Sequence, residues 1–292
     1  MGAITGIDKR ALLAIGITLI FWASSFAGIR AGLEGYTPGA LVLFRFLVAS
    51  VTLGLYSIIT KGIRWPRLAD LPWIILGGFV GITVYHVLLA FGETTVTAAS
   101  ASFIIGAVPI FTGLLAIITL KETIHGRQWA GIAISFGGIG LIALGERGHL
   151  QIEGGALLIL LAAFCTSIYF VIQKRLLRYY SPLEVTCYAF WAGTLFMFFF
   201  LPDLIRELPD APIGPTLSVI YLGVFPAALA YLIWNYVFTR TTASIATSFM
   251  YLNPIAATII AWIWLNEVPS LMAALGGLLA LTGVIVTVRS VR

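Results

Sequence analysis

Apolar runs of membrane-spanning length dominate this sequence and leave few folds open to it. A helix needs about 20 apolar residues to cross the hydrocarbon core of a bilayer. Ten stretches come close to that length, and short connections join them: about 10–31, 38–60, 70–91, 96–119, 126–144, 154–177, 182–201, 213–237, 242–264 and 270–288. Strands of a membrane barrel alternate apolar and polar residues, and these runs do not. The pattern therefore predicts an all-α polytopic membrane protein with ten transmembrane helices.

Composition agrees with a chain whose partner is the lipid bilayer. Hydrophobic residues make up 60% and charged residues only 10%, whereas soluble domains carry about 25% charge. The net charge of +5 raises the question of nucleic-acid binding. The Lys and Arg residues lie in short gaps between apolar runs and form no basic stripe, so we expect no nucleic-acid partner.

The distribution of Lys and Arg predicts the orientation of the chain. The apolar run after Lys9 and Arg10 is longer than the core of a secretory signal, which spans about 7–15 residues, so we interpret it as a retained first span. With the N-terminus in the cytoplasm, thirteen basic residues face inward and three face outward. Cytoplasmic loops are enriched in Lys and Arg. We therefore expect a bacterial-type inner-membrane protein with both termini cytoplasmic.

The sequence also contains an internal duplication. Residues 94–142 and 239–287 align without a gap at an offset of 145 and share twelve identities in 49 positions. The rarer residue types recur in one register, as the pairs Pro109/Pro254, Glu122/Glu267, Gly131/Gly276 and Gly138/Gly283. At an offset of 144, Arg30/Lys174, Leu33/Leu177, Tyr36/Tyr180 and Pro38/Pro182 also correspond. The duplication thus predicts two repeats, residues 1–148 and 149–292.

Each repeat would hold five spans. Because five is odd, the second copy must enter the membrane from the opposite side. Inverted repeats around a central cavity are the architecture of many secondary transporters, which bind substrate near the midplane and alternate access by rocking one part against another. The duplication therefore predicts a transporter.

These motifs resemble the drug/metabolite transporter superfamily in its ten-helix form, built from two EamA-type repeats. The resemblance rests on three features: the Trp22-Ala23-Ser24-Ser25-Phe26 stretch in span 1, Pro38 with Phe44-Arg45-Phe46 in span 2, and the Pro109…Glu122…Gly131…Gly138 string with its copy. It implies a ten-helix bundle with a central cavity and export of aromatic or other neutral amino acids and related small metabolites, with the YddG-like exporters as the nearest comparison. Other metabolites or drugs, such as nucleosides, purines or cationic compounds moved with proton coupling, are the alternative.

Charged residues inside the spans bear on the mode of coupling. All twelve acidic residues fall at or near the ends of spans, whereas a proton relay needs an ionisable site at membrane depth. The related four-helix multidrug transporters use a Glu in their first span, and span 1 here has none. We therefore expect transport without an obligatory carboxylate relay. His86 could still titrate.

Arg45 is the one basic residue inside a span. A charge facing lipid at this depth costs at least about 2 kcal/mol, so Arg45 should face the bundle. It could bond to carbonyls or to Glu93 in a structural or gating role, snorkel to the interface, or contact a substrate carboxylate.

Candidate cavity residues are polar pairs at equivalent repeat positions and deep aromatic residues. The pairs are His86/Tyr231, Ser102/Thr247 and Ser25/Tyr169; single hydroxyls in spans otherwise bond locally or join helices. The aromatic candidates could equally be bundle core or lipid contacts. The full predicted set is Trp22, Ser25, Tyr85, His86, Ser102, Tyr169, Tyr231, Trp234, Thr247 and Tyr251.

The remaining motifs favour structure over chemistry. Pro109 and Pro254 lie near the middle of spans 4 and 9, where a proline kinks a helix, and we predict that they are hinges or static bends. The repeated glycines indicate close helix contact. The glutamates of the repeat are expected to cap helices.

Isolated Cys165 and Cys187 suggest neither a disulfide nor a metal site, and no cofactor is expected. A membrane enzyme would need a nucleophile–base pair or a metal cluster at depth, so this class is a remote alternative to a monomeric transporter of small molecules.

Overall fold

The computed structural model describes residues 9–60, 62–95, 98–147, 154–256 and 271–289. Within these residues the chain is helical and contains no strand. Seven helices are long and apolar enough to cross a membrane. They are α1 (Lys9–Leu33), α2 (Pro38–Thr60), α3 (Leu68–Gly92), α4 (Ala101–Leu120), α6 (Gly154–Leu176), α7 (Pro182–Glu207) and α8 (Ile213–Arg240). Each coincides with a run that the sequence predicts.

Three further predicted runs are represented by other helices. Helix α5 (Gly126–Arg147) and helix α10 (Leu271–Arg289) match the fifth and tenth runs. Helix α9 begins as Ala243–Ser248 and continues as a tight 3₁₀ stretch, Phe249–Leu252. The ninth predicted run from residue 257 onward lies outside the described residues. Glu267, which follows that run, also lies outside them.

Two pairs of helices depart from regular α-geometry at equivalent positions. Helix α3 contains a π-helical segment at Gly77–Val84, and α8 contains one at Gly223–Leu229. In α4 the helix Ala98–Ile105 is separated from Val108–Leu120 by a turn at Gly106 and Ala107. The 3₁₀ stretch of α9 covers the corresponding positions of the second repeat, so both helices are interrupted just before the repeated proline.

Helices α5 and α10 pack against each other through small residues. A Cβ built at Gly138 would lie 2.5 Å from the backbone N of Ala280 and 2.6 Å from the carbonyl O of Gly276. A Cβ at Gly131 would lie 2.6 Å from the O of Gly283. The hydroxyl of Ser135 donates to the carbonyl of Ala280 at 3.0 Å. This confirms the close helix contact that the repeated glycines predict. A side chain larger than that of glycine would prevent the two backbones from approaching this closely.

A second pair of glycines lets the π-helical segments cross neighbouring helices. A Cβ at Gly78 would lie 2.8 Å from the O of Ala189 and 2.7 Å from the Cβ of Ala192 in α7. A Cβ at the equivalent Gly223 would lie 2.7 Å from the O of Arg45 and 2.7 Å from the Cβ of Val48 in α2. The same contact is therefore made twice, once in each direction between the two halves.

One end of the bundle, which we call the predicted cytoplasmic end, is held by polar contacts around the corner between α8 and α9. Lys121 ends α4 in the left-handed conformation (φ 57°), and the carboxylate of Glu122 then accepts hydrogen bonds from Ala243 N at 2.9 Å, Ser244 N at 3.3 Å and Ser244 Oγ at 2.7 Å. Lys174 at the end of α6 donates to the carbonyls of Phe238 and Thr241. Glu122 is thus a helix cap, as predicted.

The start of α7 is fixed at the same end. Ser181 and Glu184 form a reciprocal capping box, and Arg64 pairs with Glu184 at 2.9 Å. This hydrogen bond raises the pKa of the exposed Arg64 guanidinium above its ordinary value. The contact anchors the connection between α2 and α3 on α7.

Candidate functional site

A cavity lies among seven helices, α1, α2, α3 and α4 of the first half and α6, α8 and α9 of the second half. Its volume is about 30 Å³ in this structure, which holds only water-sized molecules, so a larger ligand requires the surrounding helices to move apart. Thirteen residues line it: Trp22, Ser25, Phe26, Arg45, Tyr85, His86, Leu89, Ile105, Thr166, Phe170, Tyr231, Met250 and Asn253.

The lining contains several residues that occupy equivalent positions in the two repeats. At an offset of 144, Trp22 corresponds to Thr166 and Phe26 to Phe170. At an offset of 145, His86 corresponds to Tyr231 and Ile105 to Met250. The cavity is therefore built from the same part of each repeat, although the side chains themselves often differ.

Trp22 is fixed in the wall of the cavity by contacts with α8. Its indole N–H donates to the carbonyl of Pro226 in the π-helical segment at 3.2 Å. Its ring packs on Trp234 and Tyr231 with centroid distances of 4.9 and 5.5 Å. The indole is thus satisfied by backbone, and its face forms an apolar wall.

His86 and Tyr231 meet across the two halves. Each stands just after a π-helical segment, where the additional residue in the turn rotates the following side chains relative to a regular helix. His86 Nδ1 lies 2.9 Å from the carbonyl of Ile82, which can only accept, so Nδ1 carries the proton and Nε2 is an acceptor. The hydroxyl of Tyr231 lies 3.5 Å from that Nε2.

Arg45 is 3% exposed and lines the cavity. Its guanidinium lies over the ring of Phe46, 5.6 Å from the centroid. Of the partners considered for Arg45, Glu93 is not in direct contact: among the described residues, no carboxylate lies within ion-pair distance of Arg45, and its Nε has no hydrogen-bond partner. Arg45 faces the bundle, as expected, and borders the cavity.

The other side of the cavity is formed where α4 and α9 are interrupted. A proline has no N–H to offer the carbonyl four residues earlier. For Pro109 that carbonyl belongs to Ile105, and for Pro254 to Met250, and both residues line the cavity. Asn253 is 5% exposed, and its Oδ1 has no partner among the described residues.

The structure divides the predicted cavity residues into two groups. Five of them line the cavity: Trp22, Ser25, Tyr85, His86 and Tyr231. The other five are buried but do not line it: Ser102, Tyr169, Trp234, Thr247 and Tyr251. Tyr169 and Trp234 stand behind the wall, in ring contact with Tyr231 and Trp22 respectively. The hydroxyl of Thr247 donates to the carbonyl of Ala243 in its own helix, the local bonding that such residues commonly adopt in spans.

Sequence reasoning missed seven lining residues: Phe26, Leu89, Ile105, Thr166, Phe170, Met250 and Asn253. Two of the missed pairs, Phe26/Phe170 and Ile105/Met250, were detectable, because equivalent apolar positions can form a pocket wall as readily as polar ones. Asn253 was also detectable from the sequence, because it is a polar amide residue directly before the repeated Pro254.

The described residues contain no cluster of three or more His, Cys, Asp or Glu that could hold a metal ion. Cys165 and Cys187 are free and buried. The lining offers hydroxyl, imidazole, guanidinium and amide groups among aromatic and aliphatic side chains.

Comparison with known proteins identifies the family. The model of the EamA-like transporter family matches the chain twice, over residues 9–144 and 153–289. The chain belongs to the EamA-like transporter family. It is therefore a multi-pass membrane transporter of the drug/metabolite superfamily, as its motifs predict.

Individual relatives agree with this membership. An "Uncharacterized transporter YdfC" of Bacillus subtilis is 42% identical over 276 residues, which cover 94% of this chain and 90% of the relative. A "Probable terminal-alkyne amino-acid exporter" of Streptantibioticus cattleyicolor is 40% identical over 276 residues, 94% of this chain and 92% of that protein. A crystal structure with 19% identity superposes with a TM-score of 0.78 over 96% of both chains, which shows a shared fold.

Proposed function

We propose that this EamA-like transporter exports neutral amino acids, aromatic ones included, and related small metabolites across the bacterial inner membrane. The observation that carries the proposal is the cavity, with apolar and aromatic walls, one unpaired buried cation and lining residues from both halves of the chain. The relative named as a probable amino-acid exporter, which aligns over nearly the whole chain, supports the same substrate class.

Alternating access between two inverted five-helix repeats, residues 1–148 and 149–292, is the proposed mechanism. Reciprocal contacts support it: Gly131 meets Gly283 and Gly138 meets Gly276, while Gly78 meets α7 as Gly223 meets α2. A contact between residues i and j that recurs with the two halves exchanged is the property of a two-fold related interface. With five spans in each repeat, that relation requires opposite orientations in the membrane and ten spans in all.

The interruptions of α4 and α9 are the proposed points of bending. They precede Pro109 and Pro254, where the missing N–H weakens the helix, and they border the cavity from opposite repeats. Glu122 and Lys174 join the ends of α4 and α6 to the α8–α9 corner at the predicted cytoplasmic end, and we propose that these contacts break when that end opens. One chain supplies the whole cavity, so we propose a monomer with both termini in the cytoplasm.

Transport without an obligatory carboxylate relay is part of the proposal. The lining contains neither Asp nor Glu, and His86 is engaged through both ring nitrogens with Ile82 and Tyr231. A substrate gradient alone should therefore drive net movement.

The test is uptake of a panel of labelled amino acids, nucleosides and cationic drugs into liposomes that contain the purified protein, with and without a pH gradient. We expect neutral amino acids to enter above protein-free liposomes without a pH gradient. The variant Thr166→Trp, which places the residue of the first repeat at the equivalent position, should fill the cavity and abolish uptake while the protein stays monodisperse. Movement of only nucleosides or cationic drugs, or strict dependence on the pH gradient, would overturn the proposal.

A further inference from the structure

Arg45 is a buried cation without a bound counter-charge in the described part of the chain. It is 3% exposed, it borders the cavity, and its Nε has no hydrogen-bond partner there. A guanidinium presents a planar fork of donors that matches a carboxylate with two parallel hydrogen bonds. An anionic group that entered the cavity would find in Arg45 a partner already desolvated and fixed.

The neighbours of Arg45 are phenols and one carboxyl group. Tyr231, Tyr85 and Glu93 act on it electrostatically. Glu93 is also 3% exposed, and neither of its carboxylate oxygens has a hydrogen-bond partner among the described residues. Glu93 is absent from the cavity lining, whereas Tyr231 and Tyr85 flank the cavity together with Arg45. The Arg45 side chain thus borders the cavity and the Glu93 side chain does not.

Acceptors gather on α4 and α9. Asn253 Oδ1 has no partner in the described residues, and Pro109 leaves the carbonyl of Ile105 without its usual donor four residues later. The carbonyl of Met250, which Pro254 cannot serve, accepts from the backbone N–H of Asn253 instead. An ammonium group has three donors and no acceptor. With no acidic residue in the lining, neutral oxygens such as these are what the cavity offers to a cation.

We propose that the cavity recognises the two charged ends of an amino acid separately, the carboxylate at Arg45 on α2 and the ammonium at Asn253 between the interrupted helices α4 and α9. This inference rests on the proposed function. The apolar lining, with Trp22, Phe26 and Phe170, receives the side chain and favours neutral ones. Arg45 and Asn253 lie on different helices. A bound zwitterion would therefore contact both α2 and α9, whereas a molecule with one charged end would contact only one of them.

The experiment measures uptake of labelled phenylalanine into liposomes and its inhibition by two analogues. Phenethylamine lacks the carboxylate, and 3-phenylpropionate lacks the ammonium. For the unmodified protein we expect unlabelled phenylalanine to inhibit about tenfold better than either analogue, because each analogue leaves one buried polar group unpaired.

Variants then assign each end. Arg45→Gln should lower phenylalanine uptake about tenfold or more and remove the preference for phenylalanine over phenethylamine, while Arg45→Lys, which keeps the charge without the fork, should be intermediate. Asn253→Leu should remove the preference over 3-phenylpropionate. Ser24→Ala is the matched control, since Ser24 adjoins Ser25 on α1 but does not line the cavity, and its hydroxyl donates to the carbonyl of Phe21 at 2.9 Å. It should leave both preferences unchanged.

The ratio of inhibition by phenylalanine to inhibition by each analogue distinguishes a role in recognition from a role in folding. A residue with only a structural role would lower uptake without changing this ratio. Unchanged ratios in Arg45→Gln, or the same loss in Glu93→Gln, would overturn the inference and indicate a structural Arg45–Glu93 pair while amino-acid transport stands. Absence of phenylalanine uptake in the unmodified protein, with another neutral amino acid carried, would move the same test to that amino acid and its analogues. Absence of uptake for every amino acid would remove the proposed function itself.

Discussion

The α5–α10 interface and the cavity use the internal duplication in opposite ways. At the interface the equivalent positions are identical, with glycine at 131, 138, 276 and 283, and the contacts are reciprocal. In the cavity the equivalent positions mostly differ, with Arg45 opposite Ala189 and His86 opposite Tyr231. Two backbones can pack symmetrically, but a small molecule with two unlike ends needs an asymmetric lining. The comparison separates residues that hold the halves together from residues that discriminate among ligands.

The largest effect should come from Gly138→Val. The new Cβ would lie 2.5 Å from a backbone nitrogen of α10, and backbone in a packed helix pair cannot move aside as a side chain can, so overpacking should cost about 3 kcal/mol. We expect loss of a monodisperse protein in size-exclusion chromatography and a marked fall in thermal stability.

Gly137→Val is the matched control for that change. Gly137 is the preceding residue of the same helix and has nothing within 4 Å of a built Cβ. It should remain folded and active. Equal tolerance of both valines would show that the interface does not depend on the glycines.

The next effect concerns the cavity. Tyr231→Phe removes the hydroxyl that lies 3.5 Å from His86 Nε2, and we expect transport to fall about threefold to tenfold with a stability change of about 1 kcal/mol or less. Tyr251→Phe is its control, because the hydroxyl of Tyr251 is buried without a partner in the described residues. Its removal should leave transport unchanged. Liposome uptake and thermal unfolding measure the two effects, and a stronger loss in Tyr251→Phe would reverse the assignment.

Much of the fold followed from the sequence because the bilayer imposes a simple rule. Apolar length alone located the seven long helices, and the repeated glycines located the α5–α10 contact. The cavity was harder to predict. Ser102 and Thr247 pair as polar equivalents, yet both are buried away from it. Thr247 bonds to the carbonyl of Ala243 in its own helix, whereas the hydroxyl of Ser102 has no partner among the described residues.

Irregular turns explain the two residues missed in α9, Met250 and Asn253. Regular 3.6-residue periodicity does not anticipate the π-helical segments in α3 and α8 or the 3₁₀ stretch in α9. These irregular turns decide which residues of α8 and α9 face the cavity. Asn253, for example, follows the 3₁₀ stretch directly. Tyr251, only two residues earlier, does not line the cavity.

Glu122 tests the comparison between identical and differing positions. The residue is a glutamate in both repeats, yet it lies at the predicted cytoplasmic end, which must open during alternating access. Glu122→Gln keeps the shape, removes the charge and replaces one of the two oxygens that accept from Ala243 and Ser244 by an NH₂ donor, at a cost of about 1 kcal/mol. We expect faster labelling of a cysteine introduced near this corner and a shift of transport rate within about fivefold.

Glu207→Gln is the control for the Glu122 variant. Glu207 likewise accepts from a backbone N–H, that of Thr37 before α2, but it does so at the opposite end and in an exposed position. It should not alter labelling at the α8–α9 corner. Identical labelling of the two variants would mean that Glu122 merely caps a helix.

The smallest effect is expected at Ser50 and Thr194, which correspond at an offset of 144 and touch each other, with their hydroxyl oxygens 2.9 Å apart. Thr194 also donates to the carbonyl of Phe190 at 2.7 Å, so it stays satisfied when its partner is removed. Ser50→Ala should therefore cost only about 0.6 kcal/mol, measured by thermal unfolding, and leave uptake unchanged. A large loss of uptake would place a ligand-discriminating role on a contact between equivalent positions outside the cavity lining, which would contradict the separation of contact residues from cavity residues.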